Sequence, residues 1–201
     1  PENVHPRHKL NKKSAYLWSE HVTFVFREYE DFENRMATTT KNIVEAVPDA
    51  QIAVISDSLP YPPIDLPPTA KLISLQLQPD DSVKMSRPEN VITSKYTILL
   101  PDAVVLKYPN DVHKMIEFHE SQPDEVKMTV WPIDTHSHLH CVGLNFKLKQ
   151  WTLQYFPTQS KLCDMIFGQF VILLRTDDLF SLSEPFQRPI PEAFFIQTSL
   201  R

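Results

Sequence analysis

Glycine is scarce: the 201 residues contain only Gly143 and Gly168. A phosphate-cradling loop needs several glycines close together, because the backbone must approach the anion and adopt positive φ. Neither a G-x-G-x-x-G turn nor a Walker-type lysine loop exists anywhere in the chain. No apolar run approaches the ~18 residues needed to span a bilayer. The opening PENVHPRHKLNKKSAYLWSEH has no signal-peptide core. Positive charge is not in surplus either. The formal net charge is −5, so the overall balance gives no reason to expect nucleic-acid binding.

What is present is an ordinary globular composition, 42% apolar and 22% charged, with proline unusually frequent at 18. The length suits one large domain or two small ones and can enclose a real core. Residues 1–21 carry Arg7, Lys9, Lys12 and Lys13 without apolar periodicity and read as a solvated linker; residues 22–201 read as the folded domain. The chain opens on Pro rather than Met and closes on PEAFFIQTSLR, a helical pattern with no terminating Gly or Pro. Both ends are expected to be cuts in a longer protein.

Periodicity predicts alternating strands and helices. HVTFVF (21–26) reads as a strand, followed by a helix over 30–47 with Phe32, Met36, Thr39, Ile43 and Val47 at helical spacing. AQIAVISD (50–57) suits a buried parallel strand. The five prolines of SDSLPYPPIDLPP exclude helix and central strand. Further strands are predicted at 71–78, at 94–107 with an interruption at Pro101-Asp102, and in EVKMTVWPI, CVGLNFKLKQWTLQYF and GQFVILLRTDDLF. A short helix is predicted to begin near Asn110, a good N-cap. This order favours an α/β fold with a mixed, mostly parallel sheet flanked by helices.

Ligands of such sheets bind at the carboxyl ends of the strands. Those ends carry Arg27, Glu28, Asp57 and Asp102, each suited to a sugar or a phosphate and equally suited to a loop or a helix cap. PIDTHSHLHC raises a metal question. His136, His138 and His140 alternate with Asp134 in register and Cys141 adjacent, and an extended strand would place the alternating side chains on one face. The preceding Pro132 and the polar composition fit a solvent-facing loop as well. The aromatics Tyr96, Trp131, Trp151, Tyr155 and Phe156 suit either a sugar-stacking platform or the core.

Several blocks carry a family resemblance: VTFVFREYEDFENR, SDSLPYPPIDLP, SRPENVITSKYTILLPD, CVGLNFKLKQWTLQYF, VILLRTDDLFSLSEP and FFIQTSLR. In this order and spacing, from about Val22 to Arg201, the chain resembles the N-terminal region of the fukutin-related proteins. The resemblance implies a Golgi type II membrane enzyme that transfers ribitol 5-phosphate from CDP-ribitol to the O-mannosyl glycan of α-dystroglycan. Its nucleotidyltransferase-like catalytic domain, with paired Asp residues, would lie C-terminal to this region. It further implies a GT-A glycosyltransferase-like, Rossmann-like fold here, a membrane contact only through an N-terminal anchor, and a setting in the Golgi lumen. The implied partners are the chain's own catalytic domain, an α-dystroglycan-like acceptor glycoprotein and, in addition, further copies of itself.

Active GT-A enzymes usually end a strand in Asp-x-Asp, whose two carboxylates hold a divalent ion against a nucleotide diphosphate. The matching site here reads Pro101-Asp102-Ala103, with one carboxylate. Asp177-Asp178 follows another strand, but adjacent strand residues point apart, so that pair reads as a turn or helix start. The expectation is a module with no catalytic residues and no cofactor of its own; a divalent metal belongs to the absent catalytic domain. The alternative is an active metal-dependent glycosyltransferase using a nucleotide sugar. The resemblance also implies a disulfide between Cys141 and Cys163, which composition alone leaves level with two buried thiols. It offers no support for a metal at the histidines. None of the seven Asn residues begins an Asn-x-Ser/Thr sequon, so no N-glycan is expected.

Overall fold

In the computed structural model, described for residues 18–200 apart from 31, 78–81, 83, 85, 107, 134–137, 159, 161 and 188–190, burial follows the β-branched and aromatic runs. A one-turn helix, α1 (Trp18–His21), leads into β1 (Val22–Phe26), all five of whose residues are buried. A strand buried on both faces is a central strand. Then come α2 (Met36–Ala46), β2 (Gln51–Ser56), β3 (Ala70–Ser74), β4 (Tyr96–Leu99), α3 (Pro109–Glu120) and β5 (Met128–Pro132). The second half adds β6 (His140–Lys147), β7 (Thr152–Pro157), β8 (Met165–Phe167), β9 (Phe170–Arg175), α4 (Thr176–Phe180) and α5 (Pro191–Ser199).

Six strands form one sheet in the order β3-β2-β1-β4-β9-β5. The first four are parallel, and β9 runs antiparallel between β4 and β5. The mixed, mostly parallel α/β sheet is therefore present. Side-chain alternation divides its core in two. Phe24, Phe26, Ile52, Val54 and Ile98 pack under α2 and α3, against Ile43 and Ile116. Val25, Ile55, Leu99 and Ile172 face the other way, toward Leu179 of α4 and Phe194 and Phe195 of α5. Each such burial contributes roughly 1.5–3 kcal/mol before entropy.

Several boundaries differ from expectation. The first helix begins at Met36 rather than near residue 30, and Phe32 is exposed. The side chain of Asn34 accepts the Met36 amide at 3.1 Å, so local capping starts the helix later than the periodicity suggests. The second helix starts at Pro109, whose missing N–H costs nothing in a first turn, and Asn110 lies inside it. The strand expected over 71–78 ends at Ser74, leaving Leu77 exposed, and the one expected over 94–107 ends at Leu99. CVGLNFKLKQWTLQYF is not one strand but the hairpin β6–β7. It turns through a 3-10 segment at 148–150 and Trp151 in the left-handed region, φ 51°. With β8, which the pattern did not reveal, it forms a second sheet in the order β7-β6-β8.

The proline-rich segment after Asp57 connects parallel β2 and β3, a link usually made by a helix. Proline forbids that helix, so an extended segment covers the sheet, with Ile64 and Leu66 packed against the core and a cis bond at Tyr61-Pro62.

Candidate functional site

Alternation also decides where the charged strand ends point. Arg27 continues the face of Val25, and Asp57 the face of Ile55; these meet. The Arg27 guanidinium approaches Asp57 at 3.3 Å and donates to Glu184 at 2.6 Å. Its side chain is only 4% exposed, whereas Asp57 and Glu184 remain 65% and 54% exposed. A buried cation is thus held by two carboxylates that stay in water. Glu184 begins a short 3-10 turn after α4, a position no strand-end rule could nominate.

Glu28 continues the opposite face, that of Phe24 and Phe26. Asp102 follows β4 and serves helix α2. Its carboxylate accepts the amide of Arg35, the N-cap residue, at 3.1 Å, and its carbonyl accepts the Thr39 hydroxyl at 2.6 Å. That is a helix cap supplied in trans, favourable because the helix N-terminus carries partial positive charge. The flanking Pro101 and Ala103 offer no side-chain ligand. The end of β4 therefore offers a cation a single carboxylate, already bonded to the start of α2.

Beside the Arg27 pairs opens a cleft of about 730 Å³, lined among others by Asp57, Gln76, Arg87, Glu89, Phe180 and Glu184. It lies where β2 ends, the usual ligand position in open α/β sheets. Its three carboxylates, Asp57, Glu89 and Glu184, outnumber Arg87 and the buried Arg27 that pairs with two of them, which leaves no surplus positive charge for a nucleotide diphosphate. Carboxylates, amides and one aromatic ring are instead the chemistry that receives sugar hydroxyls and stacks a sugar face. Gln76, Arg87, Glu89 and Phe180 carry no sequence signal: their approach depends on loops and on α4 following an antiparallel strand.

The opposite, amino-terminal end of the parallel strands holds a second charged cluster. Glu120 accepts from Lys95 at 2.7 Å and from the Tyr96 hydroxyl at 2.6 Å. These bonds, led by Lys95, lower the Glu120 pKa, and the Glu120 bond raises that of Lys95. Burial raises the Tyr96 pKa, and burial lowers that of neighbouring His119. A half-exposed Lys95–Glu120 pair beside the buried Tyr96 and His119, at the strand amino ends, suits a structural clasp.

Asp134 and His136 of the histidine motif lie outside the described residues; His138 and His140 are exposed. Among the described residues, no three His, Cys, Asp or Glu side chains converge as metal ligands would. Cys141 is joined to Cys163 in a disulfide with Cα atoms 5.6 Å apart. The five aromatics divide. Tyr96 is buried and Trp131 packs edge-on against Phe118, whereas Trp151, Tyr155 and Phe156 are exposed. Asp177 and Asp178 form the first turn of α4.

The model of the family described as "Fukutin-related protein stem domain" matches residues 9–201. Two relatives share 34% identity with the chain and cover 90% of it. They are ribitol 5-phosphate transferase FKRP of Mus musculus, over 183 residues, and its Homo sapiens counterpart, over 184. The chain spans 37% of the length of each. Among solved structures, 4-diphosphocytidyl-2C-methyl-D-erythritolsynthase from Anaerococcus prevotii aligns over 91% of this chain and 85% of its own, at 8% identity and a TM-score of 0.47.

Proposed function

The chain belongs to the fukutin-related protein stem-domain family, and from that premise we propose that it is a non-catalytic, GT-A-like module of a ribitol 5-phosphate transferase. In this reading the transferase works in the Golgi lumen, tethered by an N-terminal anchor. The module packs against the catalytic portion and helps it recognise an O-mannosylated, α-dystroglycan-like acceptor. The observation that carries the reading is the use of Asp102. The single carboxylate at the end of β4 accepts the amide of Arg35, the N-cap residue of α2, which supports a capping role for it rather than a metal-diphosphate one. The carboxylates of Asp57 and Glu184 are likewise engaged by Arg27. The cleft they border then serves binding without chemistry, with an uncharged stretch of the acceptor glycan as its occupant. Binding energy at a site remote from the reacting bond improves capture of the acceptor and its orientation.

The test compares ribitol phosphate transfer to a phosphorylated core glycopeptide by this region, by the catalytic region and by the two joined. The expected outcome is an inert module that lowers the acceptor KM of the joined protein. Turnover of a nucleotide-activated donor by this region alone, in the presence of Mn²⁺, would overturn the reading in favour of an active metal-dependent glycosyltransferase.

A further inference from the structure

The turn between β6 and β7 holds one side chain that is unfavourable on two counts. Trp151 follows the 3-10 segment Leu148–Gln150 in the left-handed region, φ 51°, and is 93% exposed, the most exposed large apolar residue among those described. Positive φ crowds the Cβ of any L residue, so Gly or Asn suits such a position better than a bulky ring. Tryptophan is also a residue that folded proteins mostly cover. Strained backbone of this kind clusters where it serves a function. Leu148, whose carbonyl accepts the Trp151 amide at 3.3 Å, is 74% exposed.

The turn is held out on a fixed base. Every residue from Lys147 to Thr152 is exposed. Behind them Val142, Phe146 and Leu153 pack against the second core cluster, β6 and β7 pair without a break in register, and the Cys141–Cys163 bridge closes the loop. Charge around the turn has one sign. The segment 141–163 contains Lys147, Lys149 and Lys161 and no Asp or Glu, in a chain of net charge −5. Among the described residues no carboxylate pairs with Lys147 or Lys149. An indole, an isobutyl group and two unneutralised ammonium groups therefore share one rigid, exposed turn.

We infer that this turn is a membrane-surface contact, in which Trp151 and Leu148 enter the headgroup region of a phospholipid bilayer while Lys147 and Lys149 stay on the lipid phosphates. Residue chemistry and shape select that occupant. Tryptophan favours the membrane–water interface, where its ring is covered and its N–H stays near polar groups. Lysine reaches from there to the phosphates along an apolar stem, and anionic lipid strengthens the attraction. A stable protein interface takes about 800 Å² of complementary surface from each partner. A convex turn of six residues supplies little of that, whereas a fluid bilayer needs no matching pocket. The contact is additional to the N-terminal anchor that the family resemblance implies. An anchor alone leaves a domain free to rotate; a second contact, weak by itself, fixes its orientation because the anchor keeps the local lipid concentration high.

The inference does not rest on the acceptor reading and is tested by titrating the intact chain with two kinds of vesicle, phosphatidylcholine alone and equimolar phosphatidylcholine and phosphatidylserine. Partition into both is expected by millimolar lipid, tighter in the mixed vesicles, with a blue shift of tryptophan emission. The other two tryptophans, Trp18 and Trp131, pack against the core, so the shift reports Trp151. Trp151→Gly suits the positive φ and should keep or raise Tm while weakening partition about tenfold or more. Lys147→Gln with Lys149→Gln should remove the preference for the mixed vesicles, a loss of about tenfold or more there. Phe32→Ala, an exposed position outside the hairpin, should change neither quantity. Absence of partition at millimolar lipid would overturn the inference and leave the turn to a protein partner. Partition indifferent to Trp151→Gly would overturn it as well and assign lipid binding to another surface.

Discussion

The pairing of Arg27 with Asp57 and Glu184 predicts an asymmetry in stability. Replacing Arg27 with Met keeps an apolar stem in the core and leaves two carboxylates that are already more than half exposed. Their hydration offsets most of the lost attraction, so the loss is that of one charge-assisted hydrogen bond and one partly screened ion pair, about 2 kcal/mol in total. Removing the carboxylates instead, with Asp57→Ala and Glu184→Ala together, takes both of these anions from a guanidinium whose side chain is 4% exposed. Breaking a buried pair from that side costs about 3–5 kcal/mol. For a domain of this size, each kcal/mol lowers Tm by roughly 2–4 °C. The single Arg27→Met variant should therefore melt about 4–8 °C below the parent, and the double carboxylate variant clearly further. Urea denaturation with a common m-value measures both free energies directly. The triple variant should recover part of the double variant's loss, because it no longer buries a charge deprived of these two carboxylates. If Arg27→Met proves the more damaging, or the triple variant recovers nothing, the account of a buried cation held by solvated anions is wrong.

Three further outcomes follow from local geometry. Cys141→Ser with Cys163→Ser opens a loop of sequence separation 22, which in the chain-entropy model is worth about 3 kcal/mol, measurable as a lower urea midpoint that reductant does not shift further. Asp102→Ala should destabilise the fold by about 1 kcal/mol through the lost cap of α2, while leaving catalytic turnover of the joined transferase unchanged; a collapse of turnover at unchanged stability would give Asp102 a chemical role. Acid should destabilise the protein in two stages. His119 has its pKa lowered by burial, so its contribution is complete above the ordinary 6.5 and is lost as pH falls below it. Glu120, lowered by Lys95, follows below 4.5. His119→Phe should flatten the first stage of a Tm-against-pH curve, and an unchanged first stage would rule His119 out as its source.

Strand existence was legible where the signal was continuous apolar burial, as in β1, β2 and β9, because a strand covered on both faces tolerates few polar residues. Strand ends were not, because Leu77 and Val105 extend the apolar pattern but are exposed. Their backbone leaves the sheet where pairing partners run out. The hairpin went unseen for a related reason. KLKQ lacks the Gly or Asn that marks most tight turns, and Trp151 takes the left-handed conformation that those residues usually supply.

The sequence by itself determined the class of fold, the absence of glycine-built phosphate sites and the family, because these depend on composition, periodicity and ordered local strings. It also determined that β4 ends in a single carboxylate. Only the tertiary structure decided what the charged strand ends do. Arg27, Asp57 and Glu184 are joined across 157 residues of chain, and Asp102 reaches a helix N-terminus 67 residues away. Such contacts arise from which face each residue takes and which loops fold over it. No local pattern encodes them, since identical residues at the same strand ends could as well have faced solvent.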